Sequence, residues 1–261
     1  MTLKSIPKLF SHSQKKSLSF IFNAYVRSLM KLERQYRLSA CEVNCLKIAI
    51  LGSGAMGSLF GAYLSQKNDV WLIDIDPQKV ERINTKGITV VEKEVRKLFK
   101  PKAVVSSKGL GEMDLIIVFV KSMYTIAALE QNKHLIGEKT YLITLQNGAG
   151  HESKLLKFAD KKNVLIGTTQ HNSSVSTEGE ILHGGGGKTI IGVIDGNISG
   201  IRNIALNFTS CGIQTEVSDD VKKQIWTKLF LNTAASSLTA ILQVPLCFIS
   251  ENPHACSLME S

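Results

Sequence analysis

In this 261-residue chain, a glycine pattern directly follows a short apolar run. Residues 47–51 read KIAIL, and GSGAMG comes next. The first glycine permits a tight turn, the second leaves room for a pyrophosphate, and the third lets a helix pack close to the strand. The phosphates of a dinucleotide then meet the unpaired N–H groups at the N-terminus of that helix. The pattern therefore predicts a dinucleotide site formed by Gly52, Ser53, Gly54, Ala55, Met56 and Gly57.

An acidic residue, Asp74, ends the second apolar run, about 20 residues after the glycine pattern. A carboxylate there accepts hydrogen bonds from the adenine ribose hydroxyls of NAD and repels the extra phosphate of NADP by roughly 1–4 kcal/mol. No Lys or Arg occupies positions 74–76, although Lys79 and Arg82 lie on the next predicted helix. The residues thus favour NAD(H) over NADP(H). We interpret Asp76 as a cap of the helix that begins at Pro77.

From residue 46 the chain alternates short β-branched apolar runs with helical segments, which is typical of α/β proteins. We predict strands over residues 47–51, 69–74, 115–120, 141–145, 164–168 and 189–193, and helices over 55–66, 77–86 and 221–242. The wholly apolar run LIIVFV indicates a central parallel strand covered on both faces. A Rossmann-type sheet domain over residues 46–216 should therefore give way to a helical domain over residues 217–261.

Charge and composition exclude several classes of function. The net charge is +9, but residues 1–45 hold eight Lys or Arg against two acids, so the remaining 216 residues carry only +3. No basic stripe marks the folded part as a nucleic-acid binder. No apolar run is long enough for a membrane span. The five cysteines are scattered and form no metal-binding pattern, which predicts reduced thiols, no metal site and a cytoplasmic location.

The basic extension over residues 1–45 leaves three interpretations open. It combines a Ser- and Lys-rich start with an amphipathic stretch, in which Leu18, Ile21, Phe22, Tyr25 and Leu29 recur at helical spacing. Such a leader is compatible with an organellar transit peptide or a helical appendage. We favour a third reading, an upstream start assigned in error, because the strand at Leu46 opens where chains of this type usually begin.

Polar residues follow several strands, where open α/β sheets bind ligands. Lys121 follows the strand at 115–120, Asn147 follows the strand at 141–145, and His171 follows the strand at 164–168. We interpret His171 as a hydrogen-bonded turn residue without a catalytic role. On the long helix, Lys228, Asn232 and Ser236 recur every four residues and share one face. Partial burial would bring the pKa of Lys228 toward the range of a general acid, whereas an exposed edge would leave it an ordinary surface lysine.

From Leu46 onward the chain resembles the ketopantoate reductase (2-dehydropantoate 2-reductase) family. The resemblance rests on KIAILGSGAMGSLFGAYL, on VKS at 120–122, LQNGAG at 145–150, HGGGGKTIIG at 183–192 and VSDDVKKQIWTKLFLNTAASSLTAIL at 217–242. It implies a Rossmann domain joined to a helical domain, and reduction of 2-dehydropantoate to pantoate with NADPH on the way to pantothenate and coenzyme A. By position, it implies a proton donor at Lys228, nicotinamide and substrate contacts at Lys121 and Asn147, substrate binding at Asn232, and a cofactor contact at Ser173.

Some positions depart from the family pattern. Ser236 and Ser237 stand where the family often has Asn-Pro, and Leu246 replaces a substrate-binding Asn. We retain Ser236 as a substrate-binding candidate. Ile75 replaces a basic residue that favours NADP, so the resemblance implies NADP(H) while Asp74 favours NAD(H). An NAD-dependent dehydrogenase of D-2-hydroxy acids, such as mandelate, is therefore the nearest alternative.

Only 19 residues follow Leu242, whereas the family's helical domain continues for several helices. The fold class expected is thus α/β, a Rossmann-type parallel sheet domain followed by an incomplete, truncated all-helical C-terminal domain. The missing helices would bring a Ser to the substrate and a Glu to the cofactor, and would help to form a dimer. A homodimer is expected if the helical domain is complete enough. A truncated dinucleotide-binding protein with little activity is the further alternative.

Overall fold

A computed structural model of the protein describes residues 45–194 and 198–260. The predicted basic extension and its amphipathic stretch lie outside the described residues, apart from Cys45. Within the described ranges, no helix is both long and apolar enough to cross a membrane.

The described residues form strands and helices in regular alternation. The strands are β1 (Lys47–Leu51), β2 (Asp69–Ile73), β3 (Ile88–Glu92), β4 (Val95–Phe99), β5 (Lys102–Val104), β6 (Leu115–Val118), β7 (Tyr141–Thr144), β8 (Val164–Thr169), β9 (Asn172–Val175), β10 (Ile181–Gly185), β11 (Thr189–Val193) and β12 (Thr215–Val217). The helices are α1 (Ala55–Leu64), α2 (Pro77–Lys86), α3 (Thr125–Gln131), α4 (Glu152–Leu155), α5 (Ser199–Ser210), α6 (Val221–Leu242), α7 (Leu246–Glu251) and α8 (Pro253–Glu260).

The larger sheet has the strand order β12-β11-β8-β7-β6-β1-β2-β5. Its strands from β8 to β5 run parallel, and β11 pairs antiparallel with β8. After β1, the next strand of this sheet along the chain, β2, pairs on one side of β1. The later strands β6, β7 and β8 follow in order on its other side. The order therefore reverses beside β1, and open parallel sheets bind ligands at the carboxyl ends of the strands at such a point. The loops after β1, β6, β7 and β8 all leave the sheet at that edge.

The predicted α/β class with a Rossmann-type sheet and a helical C-terminal region is confirmed. The predicted strands at 47–51 and 189–193 and the helices at 77–86 and 221–242 have the predicted bounds. The predicted helix 55–66 ends at Leu64, and the predicted strand 115–120 ends at Val118. Asp76 caps α2 as predicted, since its side chain accepts hydrogen bonds from the N–H groups of Gln78 and Lys79.

A second sheet, of order β4-β3-β10-β9, was not predicted. Its β3–β4 hairpin turns through Lys93 and Glu94, both at positive φ, although neither is a residue type usual in such turns. The strand β10 pairs parallel with β3 and antiparallel with β9. This sheet packs through β9, β10 and β3 against α1, the helix that begins at the glycine pattern.

Apolar side chains cover both faces of the larger sheet. Within β1, Ile48 and Ile50 belong to one core cluster, whereas Ala49 and Leu51 belong to another on the opposite face. Burial on both sides explains why the central strands read as unbroken apolar runs rather than as alternating patterns.

The C-terminal helices leave several large apolar side chains exposed. On α6, Val221 and Ala235 are buried. Gln243 caps the C-terminus of this helix and has the left-handed conformation. The exposed apolar side chains of α6, α7 and α8 are Trp226, Phe230, Leu231, Ile241, Leu242, Leu246, Phe248 and Leu258.

Candidate cofactor and active site

The glycine pattern adopts the turn that it predicts. Gly52 has a φ of 95°, and a Cβ there would lie 3.0 Å from the backbone of Val120. A Cβ on Gly57 would overlap the carbonyl oxygen of Gly52. A Cβ on Gly54 would meet nothing within 4 Å, so the space in front of the α1 N-terminus is open at this residue. These constraints suit a loop that approaches a pyrophosphate with its backbone.

The Asp74 carboxylate is hydrogen-bonded to this loop. Its Oδ2 accepts hydrogen bonds from the N–H and Oγ of Ser53, at 2.8 and 2.7 Å, and lies 3.3 Å from Nζ of Lys79. Its Oδ1 accepts from the N–H of Asp76 at 3.1 Å. Burial acts to raise the pKa of Asp74, but these hydrogen bonds and the charge of Lys79 outweigh it and hold the pKa below its ordinary value. Ile75, the next residue, is 84% exposed.

Ser173 and Met56 meet beside the loop. Oγ of Ser173, on β9, lies 3.0 Å from Sδ of Met56, on the first turn of α1. The second sheet thus brings a polar group to the phosphate loop. Sequence spacing could not locate this contact because the two residues are 117 positions apart.

The loops after β6 and β7 are joined by Gln146. Its Nε2 donates to the carbonyl oxygen of Val120 at 2.5 Å and to Oγ1 of Thr125 at 3.1 Å. The amide thereby fixes the spacing between Lys121 and Asn147, which are both exposed. A glutamine at a strand end carries no distinctive signal, so the sequence does not predict this role for Gln146.

Lys228 reaches this edge from α6. Its Nζ donates to the carbonyl oxygen of Thr169 at 2.6 Å and to Oδ1 of Asn147 at 3.2 Å. Thr169 is the last residue of β8, so the lysine spans from the helical segment to the end of the sheet. The contact to Thr169 was not predicted, since a backbone carbonyl leaves no mark in the sequence.

Burial lowers the pKa of Lys228 from its ordinary value. An ammonium has three hydrogens, and the two contacts with Thr169 and Asn147 use two of them. The third can be given to an oxygen atom placed at the mouth of the cleft. A half-buried lysine with a lowered pKa is suited to give up a proton during a reaction.

The structure thus brings some of the predicted site residues together in two groups. Lys228 contacts Asn147, and Ser53 contacts Asp74 in the loop that also presents Met56 to Ser173. Asn232 is half-buried and Ser236 is exposed on the turns of α6 that follow Lys228. Lys121 precedes a 3-10 turn, Ser122–Tyr124, and is exposed.

His171 lies in the two-residue connection between β8 and β9 and is hydrogen-bonded, as predicted. Its side chain is buried, and Nδ1 lies 3.0 Å from Nε2 of His183, on β10. The ring of Phe60 packs edge-on against it at 6.0 Å. Its histidine partner was not predicted, because the second sheet, which supplies His183, was not foreseen.

The chain is similar to one family of known proteins and to several solved structures. The sequence model of the family described as ketopantoate reductase PanE/ApbA matches residues 48–196. The 2-dehydropantoate 2-reductase of Pyrococcus abyssi is 35% identical over 215 residues, which are 82% of this chain and 70% of that protein. The crystal structure of 2-dehydropantoate 2-reductase from Geobacter metallireducens is 28% identical with a TM-score of 0.74, covering 81% of this chain and 71% of that one.

A ternary structure of D-mandelate dehydrogenase with NADH and anilino(oxo)acetate is similar as well. It is 29% identical with a TM-score of 0.75, over 82% of this chain and 70% of that one. The similar enzymes are therefore named for two different substrates, the 2-keto acid 2-dehydropantoate and the 2-hydroxy acid D-mandelate.

Proposed function

The chain belongs to the ketopantoate reductase family, and from this premise we propose that it reduces 2-dehydropantoate to pantoate with a reduced nicotinamide cofactor. One observation carries the proposal within the structure. Nζ of Lys228 is held by Thr169 and Asn147 at the edge of the sheet where the glycine loop also lies. A dinucleotide loop and a proton donor at one edge are the two parts that carbonyl reduction requires.

The residues of the glycine loop fit a bound dinucleotide. The open space before Gly54 accommodates the pyrophosphate, and the N-terminus of α1 favours its negative charge. The bound cofactor supplies a hydride to the carbonyl carbon of the substrate. Ser173 contacts Met56 of the loop, and we assign it to the cofactor on that basis.

Lys228 completes the reduction at the substrate oxygen. As the carbonyl carbon gains a hydride, the oxygen gains negative charge, and the third hydrogen of the Lys228 ammonium moves onto it to give the hydroxyl. Asn147 and Thr169 hold Nζ in place while this happens, and solvent returns a proton to the amine.

We assign Asn232 and Ser236 to the substrate and Lys121 to the nicotinamide end of the cleft. In domain terms, residues 46–216 hold the cofactor and residues 217–261 supply Lys228 to the substrate.

For the cofactor we propose a preference for NADH over NADPH. The carboxylate of Asp74 stays ionised, lies beside the loop and carries a charge that opposes a 2′-phosphate. Lys79 is already paired with that carboxylate. Ile75, at the adjoining exposed position, offers no positive charge. The bound NADH in the similar D-mandelate dehydrogenase is in keeping with this choice.

Initial rates of cofactor oxidation test the function and the cofactor preference together. Purified protein is supplied with NADH and NADPH in parallel, and with 2-dehydropantoate or benzoylformate as the substrate. Oxidation with 2-dehydropantoate, faster with NADH, supports both proposals. Oxidation with benzoylformate alone would instead assign the chain to the mandelate-type dehydrogenases. Cofactor binding without turnover on either substrate would contradict the reductase proposal and favour a dinucleotide-binding protein of little activity.

Two further expectations stay predictions. The exposed apolar side chains of α6 and α7, such as Phe230 and Leu246, favour the expected homodimer, which sedimentation analysis of the purified chain can check. A monomer at every concentration would contradict it. The cytoplasmic location is checked by fractionation of the source cells.

A further inference from the structure

Two buried histidines face each other beside the cofactor loop. Nδ1 of His171 lies 3.0 Å from Nε2 of His183, and the rings are nearly parallel, with centroids 5.1 Å apart. The residues are 9% and 6% exposed. A contact of this length between two imidazole nitrogens holds one hydrogen, because one nitrogen must donate it and the other must accept it.

A carboxylate sets the direction of this contact. Nδ1 of His183 lies 3.5 Å from Oε1 of Glu92 and 3.1 Å from Oη of Tyr63, whose hydroxyl donates to Oε2 of Glu92 at 3.4 Å. The carboxylate favours a hydrogen on Nδ1 of His183, so in the neutral ring Nε2 is the acceptor. His171 must then donate from Nδ1. Its Nε2 is left with a lone pair, in agreement with its burial and its lack of a hydrogen-bond partner among the described residues.

The pair ties together two parts of the proposed site. The backbone N–H of His171 donates to Oγ1 of Thr169 at 3.2 Å, and the carbonyl oxygen of Thr169 holds Lys228. His183 lies opposite Ser173 in the β9–β10 register, and Ser173 contacts Met56 of the phosphate loop. A change in the contact between the histidines therefore reaches the Lys228 anchor on one side and the cofactor loop on the other.

We propose that His171 and His183 are coupled positioning residues that hold the segment from Thr169 to Ser173 against the cofactor site, and that acidification releases this segment and weakens cofactor binding. Glu92 faces Nδ1 of His183, so His183 presents Nε2 to His171 as the acceptor. Protonation of His171 would place a charged N–H at Nε2, which is buried and has no acceptor among the described residues, so the protonated ring favours a segment that has moved out to solvent.

The groups around the pair support release at acidic pH. Burial lowers the pKa of His171 below its ordinary 6.5, a positive charge on His183 lowers it further, and Glu92 opposes both effects. The pair borders a cavity of about 660 Å³. The titratable groups that line this cavity with the pair are Tyr63 from α1, Glu92 from β3, Lys97 from β4 and Cys211 after α5.

The sign of the pH effect follows from the lowered pKa. The intact site contains neutral His171, so the contact is fully present above the ordinary histidine value and is lost as the pH falls below it. Asp74 does not contribute in this range, because its pKa is lowered from an ordinary value of 3.8.

Calorimetric titration with ADP-ribose between about pH 7.5 and 5.5 tests the proposal. This probe carries the adenine, both riboses and the pyrophosphate, and none of its groups titrates in that range. For the unaltered chain we expect the dissociation constant to rise about tenfold, as uptake of one proton per molecule produces over one pH unit. A dissociation constant that stays unchanged over the range would overturn the proposal.

Matched variants separate positioning from general stability. In His171→Asn the side-chain amide can still donate to His183 but cannot titrate, so binding at about pH 7.5 should be retained and the pH dependence lost. His171→Ala should weaken binding at both pH values. His254→Asn, at an exposed position on α8, is the control and should follow the unaltered profile. If His171→Asn keeps the full pH dependence, the pair is not its origin.

The inference rests on the proposed function only in taking the glycine loop as the cofactor site. ADP-ribose binding that is independent of pH, together with normal reductase activity, would remove the inference and leave the function intact. A chain that neither binds ADP-ribose nor oxidises a cofactor would remove both.

Discussion

Nζ of Lys228 lies 2.6 Å from the carbonyl oxygen of Thr169. This hydrogen bond joins helix α6 to the end of strand β8. A backbone carbonyl cannot ionise or change rotamer, so the position of the ammonium is fixed by the sheet itself. The second acceptor, Oδ1 of Asn147, comes from the neighbouring strand end. The proposed proton donor therefore occupies one position relative to the edge where the cofactor binds.

Replacement of the proton donor should remove turnover while sparing cofactor binding. Lys228→Ala is expected to lower kcat by about 10²-fold or more, because the substrate oxygen then lacks its acid. The dissociation constant for NADH should change little, since the glycine loop contacts Asp74 rather than Lys228. Steady-state rates and cofactor titration measure the two quantities. Lys223→Ala, an exposed lysine on the same helix, is the matched control and should retain its rate. Equal rates for Lys228→Ala and the unaltered chain would refute the assignment.

The pH dependence of the rate should reflect the Lys228 ammonium. An acid is active while protonated, so kcat should fall as the pH rises through a pKa lower than the ordinary 10.5. In Asn147→Asp, a carboxylate replaces the amide oxygen that lies 3.2 Å from Nζ and favours the charged amine. The alkaline limb of the profile should then move to higher pH. A limb at the same pH in both proteins would show that Lys228 is not the group that titrates.

Two glycines of the loop should respond in opposite ways to substitution. A side chain at Gly54 enters open space and its φ of −66° suits any residue, so Gly54→Val should keep its fold and lose NADH binding. At Gly57 a Cβ overlaps the carbonyl oxygen of Gly52, so Gly57→Ala should be destabilised by about 1–3 kcal/mol. Thermal unfolding and NADH titration distinguish the two effects. NADH binding by a folded Gly54→Val variant would place the pyrophosphate elsewhere.

The cofactor preference should depend on the charge of Asp74. Asp74→Asn keeps an oxygen that can accept from Ser53 but removes the negative charge, which should shift kcat/KM toward NADPH by about tenfold. Lys79→Ala removes the cation beside it and is expected to shift the ratio toward NADH. The ratio of kcat/KM for the two cofactors is the quantity to compare. An unchanged ratio in Asp74→Asn would assign the preference to another part of the site.

Much of the larger sheet could be predicted from the sequence because local chemistry determines it. Three features are encoded by a few neighbouring residues each, so the sequence reveals them: the glycine pattern, the Asp76 cap and the apolar central strands. The second sheet escaped prediction because its strands are short and β10 pairs with β3, about 90 residues away. Pairing over such a separation depends on how the chain packs around α1, which no local pattern records.

Of the candidate site, too, only a part could be predicted from the sequence. Lys228 and Asn147 could be named from motifs, and the structure places them in contact. The carbonyl of Thr169 and the His171–His183 contact could not be named. The first is a backbone group that every residue possesses, and the second depends on the unforeseen sheet.

Transfer of an isotope label from the cofactor to the product tests the proposed reduction. The purified chain is incubated with 2-dehydropantoate and NADH that carries deuterium on the transferring face of the nicotinamide ring, and the product is analysed by mass spectrometry and NMR. We expect one pantoate for each NADH oxidised, with the deuterium at the carbon that bears the new hydroxyl. If folded protein that binds NADH forms no labelled pantoate, the chain is not a 2-dehydropantoate reductase.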